Sequence, residues 1–266
     1  MTSAPGSSTN AAAAVIPVFN EAKTIADIVR RAAAQVDRVI VVDDGSTDGS
    51  LDALAGLGVE IVRHPENRGK GAALLSGIER ARARGAAYAI TLDADGQHPP
   101  ECIPDMLART DPRTIVLGSR MADAGAMPIA RLRANRTANF FISWAAGHWI
   151  DDTQCGFRVY PLSVFAAIRF RPHRRSGFVL ESEVLIDACR AGYRVVPAAV
   201  PALYGPVLQR PSHFRPVFDI AAIVIMVTGK LAAWGFYPLG LIRSQRQRRA
   251  RRRAEETCIR KRDAAV

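Results

Sequence analysis

The chain contains few cysteines, and their positions fit neither a metal site nor a redox pair. Four cysteines occur in 266 residues, at positions 102, 155, 189 and 258. No two of them form a C-x-x-C pair and none has a histidine at metal-ligand spacing, which excludes zinc-finger and dithiol motifs. We therefore expect free thiols, as in a protein of a reducing compartment.

The N-terminus lacks the marks of a secretory signal. Residues 1–10 contain no lysine or arginine and no long apolar run, whereas a signal peptide combines a basic region with an apolar region. The segment consists mostly of small and polar residues, and we predict a disordered leader over residues 1–10.

Strong charge of one sign is absent from most of the chain. The net charge is +11, but ten Lys or Arg and three Asp or Glu follow residue 242, so the first 242 residues carry only +4. Hydrophobic residues make up 48% and charged residues 23% of the chain, which is typical of a globular domain.

The Arg-rich tail, residues 243–266, would suit a nucleic-acid binder with a basic arm. Acidic residues at the predicted strand ends argue against that class, so we expect no nucleic-acid partner.

The chain also lacks an uninterrupted apolar run long enough to cross a bilayer. Residues 217–242 are almost wholly apolar, but Asp219, Lys230 and Pro238 interrupt them, and neither long piece reaches the ~20 residues that a span needs. Lys230 at the bilayer centre would cost ~2.5–3.5 kcal/mol. We predict that this segment lies in the membrane interface, and a helix packed on the preceding domain is the alternative.

The flanking residues indicate how this segment would meet a membrane. The Arg-rich tail would bind anionic headgroups, at about 1 kcal/mol per basic residue near the surface. Trp234 and Tyr237 suit the aromatic belt of an interface, and basic residues favour the cytoplasmic side. We therefore predict peripheral or re-entrant association with the cytoplasmic face of the cell membrane.

Strand and helix patterns alternate along the first half of the chain. Strands are predicted at residues 11–17, 39–42, 59–62, 88–92 and 114–117. Helices are predicted at residues 25–36, 69–84 and 100–107. This alternation predicts an α/β fold with a mainly parallel sheet flanked by helices, in which sites lie beyond the carboxyl ends of the strands. Two helices at 131–149 and 179–191 and a strand at 193–200 follow, and we place a single domain at residues 11–216.

An acidic motif follows the fourth predicted strand. Asp93 and Asp95 flank Ala94, and alternation along a strand puts the two carboxylates on one side. They repel each other unless a cation joins them, and hard oxygen ligands suit Mg²⁺ or Mn²⁺. A calcium loop of the EF-hand type is excluded, because its twelfth position, which requires Glu, would be Pro104. A solvated acidic turn is the remaining alternative.

Two further segments carry candidate ligand-binding residues. Asp44 follows the second predicted strand, where a carboxylate can accept from a nucleobase N–H or a ribose hydroxyl. Asp48 fits a structural role in the same turn. Lys70 lies in a glycine-rich segment similar to a phosphate loop, but His64 stands where a Walker A motif needs its first glycine. Lys70 therefore either faces a phosphate or begins a solvated helix.

Five motifs taken together resemble glycosyltransferase family 2 in order and spacing. They are IPVFNE at 16–21, DDGS at 43–46, NRGKG at 67–71, DADGQ at 93–97 and GSR at 118–120. The string DADGQHPPE at 93–101 is similar to the dolichyl-phosphate mannosyltransferase branch, and the resemblance runs from about residue 12 to about residue 215. It implies a GT-A fold, Mg²⁺ or Mn²⁺ as cofactor, and inverting transfer of a sugar from a GDP- or UDP-sugar.

The resemblance also implies roles for individual residues. The nucleoside would be held by Pro17, Phe19, Glu21, Val42 and Asp44, with Phe19 replacing the commoner tyrosine. The ribose and diphosphate would contact Asp93, Ala94 and Asp95. The metal ligands would be Asp93, Asp95 and Gln97. The candidates for binding donor phosphates are Lys70, Arg120, Arg210 and Arg215.

The acceptor decides whether the reaction needs a general base. Glu181 lies where several family members carry an acidic catalytic motif, although an acid favoured by a helix N-terminus is an equal alternative. With Asp95 and Asp152, it completes our set of candidate catalytic residues. The resemblance implies a lipid-linked acceptor. A polyprenyl phosphate is already an anion and needs no base, whereas a glycolipid hydroxyl needs Glu181 or Asp152 to take its proton.

The rival enzyme class is a sugar-nucleotide pyrophosphorylase, which also uses an α/β nucleotide domain. Such an enzyme usually opens with a glycine-rich loop after its first strand. Here residues 17–21 read PVFNE, which argues against that class.

Overall fold

A seven-stranded sheet forms the centre of the computed structural model, which describes residues 11–169, 177–203 and 216–263. The strands are β1 (Ala12–Val18), β2 (Val39–Asp43), β3 (Glu60–Arg63), β4 (Tyr88–Thr91), β5 (Thr114–Ser119), β6 (Arg158–Pro161) and β7 (Arg194–Ala199). The α-helices are α1 (Ile25–Ala33), α2 (Lys70–Ala83), α3 (Ile103–Leu107), α4 (Ile129–Ala146), α5 (Val164–Ala167), α6 (Gly177–Arg190), α7 (Pro216–Ala233) and α8 (Pro238–Asp263). Short 3-10 turns lie at Asp52–Leu54, Pro100–Cys102 and Met121–Ala126.

The sheet is mainly parallel, as the sequence predicts. Its strand order is β3-β2-β1-β4-β6-β5-β7. All described pairings are parallel except those of β6, which runs antiparallel to β4 and β5. Since β2, β1 and β4 are adjacent and parallel, the turns after Asp43, Val18 and Thr91 lie side by side at one edge.

Strand β6 is the one strand of the described sheet that was not predicted from the sequence. It contains four residues, begins with Arg158 and ends with Pro161, so it lacks the apolar alternation that marks a strand. All four residues are nevertheless buried. The strand forms in the sheet interior because the polar groups of Arg158 find partners there.

Helix α2 packs closely on the sheet and begins at the site edge. It lies over β1 and β2, where a Cβ on Gly77 would collide with the side chains of Val15 and Val42. Lys70 is its first residue. This close packing determines how far Lys70 lies from the carboxyl ends of the strands.

The apolar segment predicted at residues 217–242 is divided between two helices. It comprises most of α7, a turn, and the start of α8. Among the described residues, no single helix is long and apolar enough to cross a membrane. Helices α7 and α8 pass that test only as a pair, and they are bent by 117° at the turn.

One face of α7 packs on helix α6 of the preceding domain, which is the alternative that the sequence left open. Lys230 Nζ lies 2.7 Å from Asp187 Oδ1 and 3.2 Å from Glu183 Oε1, both on α6. Lys230 therefore faces the protein, and the expected cost of placing it in lipid does not arise. The opposite face leaves Val224 and Ile225 exposed, at 55% and 61%.

The turn between α7 and α8 shows which protein groups contact the aromatic side chains expected in the membrane interface. The Arg190 guanidinium lies 3.6 Å from the centroid of the Trp234 ring and 4.5 Å from that of Tyr237. Trp144 Nε1 donates to the Phe236 carbonyl at 2.9 Å. Trp234 and Tyr237 thus pack partly on the protein, and their place in an aromatic belt stays a prediction. Phe236, 62% exposed, is the most exposed aromatic side chain of this turn.

Candidate active site

The loops after β1 and β2 meet at the carboxyl edge and are tied by reciprocal hydrogen bonds. The Asn20 N–H donates to Ser46 Oγ (3.1 Å), and the Thr47 N–H donates to Asn20 Oδ1 (2.9 Å). The Glu21 N–H donates to Ser50 Oγ (2.9 Å). Asn20 has a φ of 57°, a left-handed conformation that asparagine tolerates better than most residues. These contacts place Glu21 beside the turn that follows β2.

Asp48 and Thr24 add further hydrogen bonds to the loop that follows β1. Asp48 accepts from the backbone N–H groups of Ala22 and Ser50, each at 3.0 Å, which confirms its predicted structural role. The Thr24 hydroxyl donates to the Ala94 carbonyl (2.7 Å). The loop that carries Glu21 is therefore joined directly to the acidic motif.

The remaining residues expected at the nucleoside lie along the same edge. Pro17 pairs with Val42 in the β1–β2 register, and Phe19 follows β1 directly. Pro17 and Phe19 are half-buried, while Val42 is fully buried beneath α2. The Val42 side chain therefore packs in the core, and only its backbone could contact a nucleoside.

Asp44 is buried, and its carboxylate is engaged within the protein. Its Oδ1 accepts from His64 Nδ1 (2.7 Å) and from the Arg68 N–H (2.9 Å), and its Oδ2 accepts from the Gly69 N–H (2.7 Å). These bonds hold the loop that leads into α2 and so help to place Lys70. The structure thus assigns Asp44 a supporting task that the sequence did not indicate, and its contact with a nucleoside stays a prediction.

Lys70 joins two carboxylates that are far apart in sequence. Its Nζ lies 2.6 Å from Asp93 Oδ1 and 3.2 Å from Glu181 Oε2. Asp93 comes from the end of β4 and Glu181 from α6, so three elements meet at this ammonium group. The alternative of a solvated helix start is wrong for Lys70.

Gly156 lies directly over this cluster. A Cβ at this position would come within 3.1 Å of Lys70 Nζ, Asp93 Oδ2 and Glu181 Oε1. Glu181 is 5% exposed, and among the residues that the structure describes its Oε1 has no hydrogen-bond partner. A glycine at 156 therefore leaves room beside a buried oxygen that lacks a donor.

Asp95 is the carboxylate on which the metal prediction depends most. Burial, and then the charge of Asp93, raise the pKa of Asp95. The Gln97 backbone N–H donates to Asp95 Oδ1 (2.9 Å). Within the described part of the chain, no three His, Cys, Asp or Glu side chains are gathered as a ready metal site. The donor chemistry still fits a hard divalent cation, since a cation beside Asp95 would relieve its repulsion from Asp93.

His98 supports the acidic motif, a role that the sequence analysis did not assign. Its Nδ1 accepts from the Asp93 backbone N–H (3.0 Å), so the ring proton is on Nε2, 3.8 Å from Cys155 Sγ. The ring stacks on Phe157 with centroids 5.5 Å apart. Burial lowers the pKa of His98 and raises that of the Cys155 thiol to about 12. The position of His98 just after the acidic motif was the available signal.

Arg120 and Asp152 form a buried two-pronged ion pair. Arg120 Nε and Nη2 donate to Asp152 Oδ2 (2.8 Å) and Oδ1 (3.0 Å), and the Arg120 backbone N–H adds a third bond (3.1 Å). Asp152 is fully buried. A general base must reach the proton that it removes, so this geometry disfavours Asp152 as a base and shows it as the residue that orients Arg120.

Arg158 organises the segment between the two clusters. Its guanidinium donates to the carbonyls of Thr153 (2.9 Å), Cys155 (2.7 Å) and Glu181 (2.7 Å) and to Tyr160 Oη (3.0 Å). The sequence alone gave no role to Arg158. Its contacts fix the backbone of Glu181 and thereby the carboxylate beside Lys70.

Of the other predicted phosphate-binding residues, Arg210 and Arg215 lie outside the described residues.

Comparison with known proteins identifies the family. Residues 13–169, more than half of the chain, match the family described as Glycosyl transferase family 2. This chain belongs to that family. It is a glycosyltransferase, which excludes the pyrophosphorylase alternative.

Two relatives show how far the similarity extends. The glycosyltransferase is 31% identical over 199 residues to polyprenol monophosphomannose synthase of Mycolicibacterium smegmatis, a match that covers 70% of this chain and 75% of the relative. It is 27% identical over 213 residues to UDP-N-acetylglucosamine–dolichyl-phosphate N-acetylglucosaminyltransferase of Methanococcus voltae, covering 71% and 84%.

A solved structure confirms the GT-A fold of the glycosyltransferase. Glucosyl-3-phosphoglycerate synthase of Mycobacterium tuberculosis, in complex with Mn²⁺, UDP and glucosyl-3-phosphoglycerate, superimposes with a TM-score of 0.58 over 88% of this chain and 86% of that one. The two sequences are 20% identical, so this likeness establishes the fold alone.

Proposed function

We propose that this glycosyltransferase transfers a sugar, with inversion, from a nucleoside-diphosphate sugar to a polyprenyl phosphate at the cytoplasmic face of a membrane. The names of both relatives support the acceptor, since one makes a polyprenol monophosphomannose and the other acts on dolichyl phosphate. The Mn²⁺ and UDP bound to the structural neighbour support a nucleotide donor and a divalent metal.

One observation carries the choice of a phosphate acceptor over a hydroxyl acceptor. Both carboxylates considered as general bases are paired with cations, Glu181 with Lys70 at 3.2 Å and Asp152 with Arg120 at 2.8 Å. Asp152 has both carboxylate oxygens on Arg120, and the carboxylate of Glu181 is bound to Lys70 through Oε2, so we infer that neither takes a proton from an incoming hydroxyl. An acceptor that is already an anion needs no such base, and a polyprenyl phosphate meets this condition.

The charged residues of the site then bind and orient the two phosphate-bearing substrates. Asp93, Asp95 and Gln97 would hold Mg²⁺ or Mn²⁺, which neutralises charge on a departing nucleoside diphosphate. Arg120, held by Asp152, presents a planar guanidinium suited to phosphate oxygens. Glu21, Pro17 and Phe19 line the edge proposed for the nucleoside.

The C-terminal helices provide the proposed membrane surface. Exposed apolar side chains lie on α7, on the turn and on α8: Ile220, Val224, Ile225, Phe236, Leu239 and Ile242. On α8, Arg243, Arg246 and Arg249 are also exposed. Apolar burial combined with attraction to anionic headgroups is the binding mode of interfacial helices. Because α7 packs on α6, which carries Glu181, this surface is joined to a helix of the site.

The acceptor is tested with a set of matched lipids. Purified full-length protein is incubated with Mn²⁺, radiolabelled UDP- and GDP-sugars and either a polyprenyl phosphate, the corresponding polyprenol or a glycolipid. We expect label in the organic phase only with the phosphate, and inversion is checked from the anomeric configuration of the product by NMR. Transfer to the polyprenol or glycolipid at an equal rate would contradict the proposed acceptor.

A further inference from the structure

The loop of residues 147–153, which follows α4, is held by the C-terminal helix α8. The Trp149 N–H donates to Gln247 Oε1 (2.8 Å), and the Arg248 guanidinium lies 4.7 Å from the centroid of the Trp149 ring. Arg251 forms an ion pair with Asp151 Oδ2. Residues 247, 248 and 251 share one face of a helix, since neighbours three and four apart lie together. Helix α8 therefore contacts this loop through a continuous face.

Two successive aspartates of the loop have different partners. Asp151 accepts from Trp149 Nε1 (2.7 Å) as well as from Arg251. Asp152 is fully buried and binds Arg120 through both carboxylate oxygens. Because a single planar peptide unit joins the two aspartates, a shift of the Asp151 main chain also moves the main chain of Asp152, whose carboxylate holds Arg120.

Helix α4 restrains the backbone of the same loop. The Asn139 side chain donates to the Asp151 carbonyl. Its Oδ1 accepts from the backbone N–H and the hydroxyl of Thr153, each at 2.8 Å. Asn139 thus ties the main chain of residues 151 and 153 together, so that the segment around Asp152 responds as one unit when Asp151 loses its partner.

From these contacts we infer that Arg251, through Asp151 and Asp152, is a positioning residue for Arg120. The C-terminal helix lies outside the 13–169 region that matches the family, yet it supports the side chain proposed to bind donor phosphate. The pair is partly shielded, with Arg251 31% and Asp151 25% exposed. The inference rests on the proposed role of Arg120 and makes no use of the acceptor.

A double-mutant cycle tests the connection. The full-length wild type, Arg251→Ala, Arg120→Lys and the double variant are titrated with UDP and with GDP in the presence of Mn²⁺, by calorimetry. We expect Arg251→Ala to weaken nucleotide binding about tenfold in the wild-type background and less than about twofold in the Arg120→Lys background, because residues acting through one another are not additive. Arg251→Lys should keep most of the affinity.

A control and a second variant keep the test decisive. Arg253→Ala removes an exposed charge from the same helix and should leave the Kd unchanged. If Arg251→Ala does not fold, Asp151→Asn removes the same ion pair and should show the same dependence on Arg120. An unchanged Kd, or an equal loss in both backgrounds, would overturn the inference. A protein that shows the expected cycle but does not glycosylate a polyprenyl phosphate would contradict the proposed function alone.

Discussion

The ammonium of Lys70 lies 2.6 Å from Asp93 Oδ1, on a carboxylate that the sequence assigns to a metal. Burial by itself would raise the pKa of Asp93, but the charge of Lys70 outweighs it, and the pKa falls to about 2. Burial opposes the charge of Lys70 as well, but Asp93 and Glu181 raise the pKa of its amine above the ordinary value. Both groups are therefore charged at neutral pH, and Lys70 competes with any cation that binds Asp93.

Replacement of Lys70 by methionine should make metal binding tighter before nucleotide is added. In Lys70→Met, Mn²⁺ no longer displaces an ammonium from Asp93, and we expect its Kd to fall about tenfold, a change of about 1.4 kcal/mol. The affinity for a nucleoside diphosphate should decrease, because a cation that faces the phosphates is lost. Free Mn²⁺ is measured by electron paramagnetic resonance, with the exposed Lys23→Met as control. Weaker or unchanged Mn²⁺ binding would show that Lys70 does not compete.

Asp95 should be required for metal-dependent transfer. Asp95→Asn keeps the shape of the side chain but removes the charge that attracts a divalent cation, and we expect a loss of about 100-fold or more in kcat, as when other electrostatic contacts to a transition state are removed. The melting temperature without metal should be unchanged or higher, because the repulsion from Asp93 is also removed. Asp105→Asn, an exposed acid on α3, is the matched control. Full activity of Asp95→Asn, or of the wild type in excess chelator, would refute the metal role.

Arg158 should contribute strongly to stability. Arg158→Met leaves the carbonyls of Thr153, Cys155 and Glu181 without their donors, and we expect the free energy of unfolding to fall by roughly 3–5 kcal/mol. Urea denaturation followed by circular dichroism measures this loss. Arg109→Met, at an exposed position, should change stability by less than about 0.5 kcal/mol. Equal stabilities of the two variants would contradict the importance of the buried network.

The outer face of α7 should contact lipid. Ile225, 61% exposed, becomes charged in Ile225→Glu, and we expect reduced flotation with vesicles that contain phosphatidylglycerol. Binding of UDP or GDP should be retained, since the substitution does not touch the site. Ile61→Glu replaces an isoleucine that is 44% exposed on the edge strand β3 and serves as control. Equal flotation of both variants would contradict the predicted contact between α7 and lipid.

Local patterns in the sequence were sufficient to predict most elements and their order. Apolar runs marked β1, β2, β4 and β5, and the first and last residues of α1, α2, α4 and α6 differ from prediction by only a few positions. The division of the C-terminal part into α7 and α8 was not predicted. Strand β6 was not predicted because an arginine and a proline interrupt the apolar pattern of its four residues. A buried arginine is acceptable only where carbonyls from other elements surround it, and a linear pattern does not contain that information.

The sequence by itself determined the family, the α/β fold and the segments that reach the site, because motif spacing and hydrophobic periodicity are local properties of the chain. Only the tertiary structure decided how their side chains pair. It placed Glu181 on Lys70, Asp152 on Arg120 and Lys230 on Asp187, pairs that are 111, 32 and 43 positions apart. Such pairing depends on how the helices pack over the sheet. A buried carboxylate requires a charged or hydrogen-bonding partner, and the tertiary packing determines which cation lies next to it.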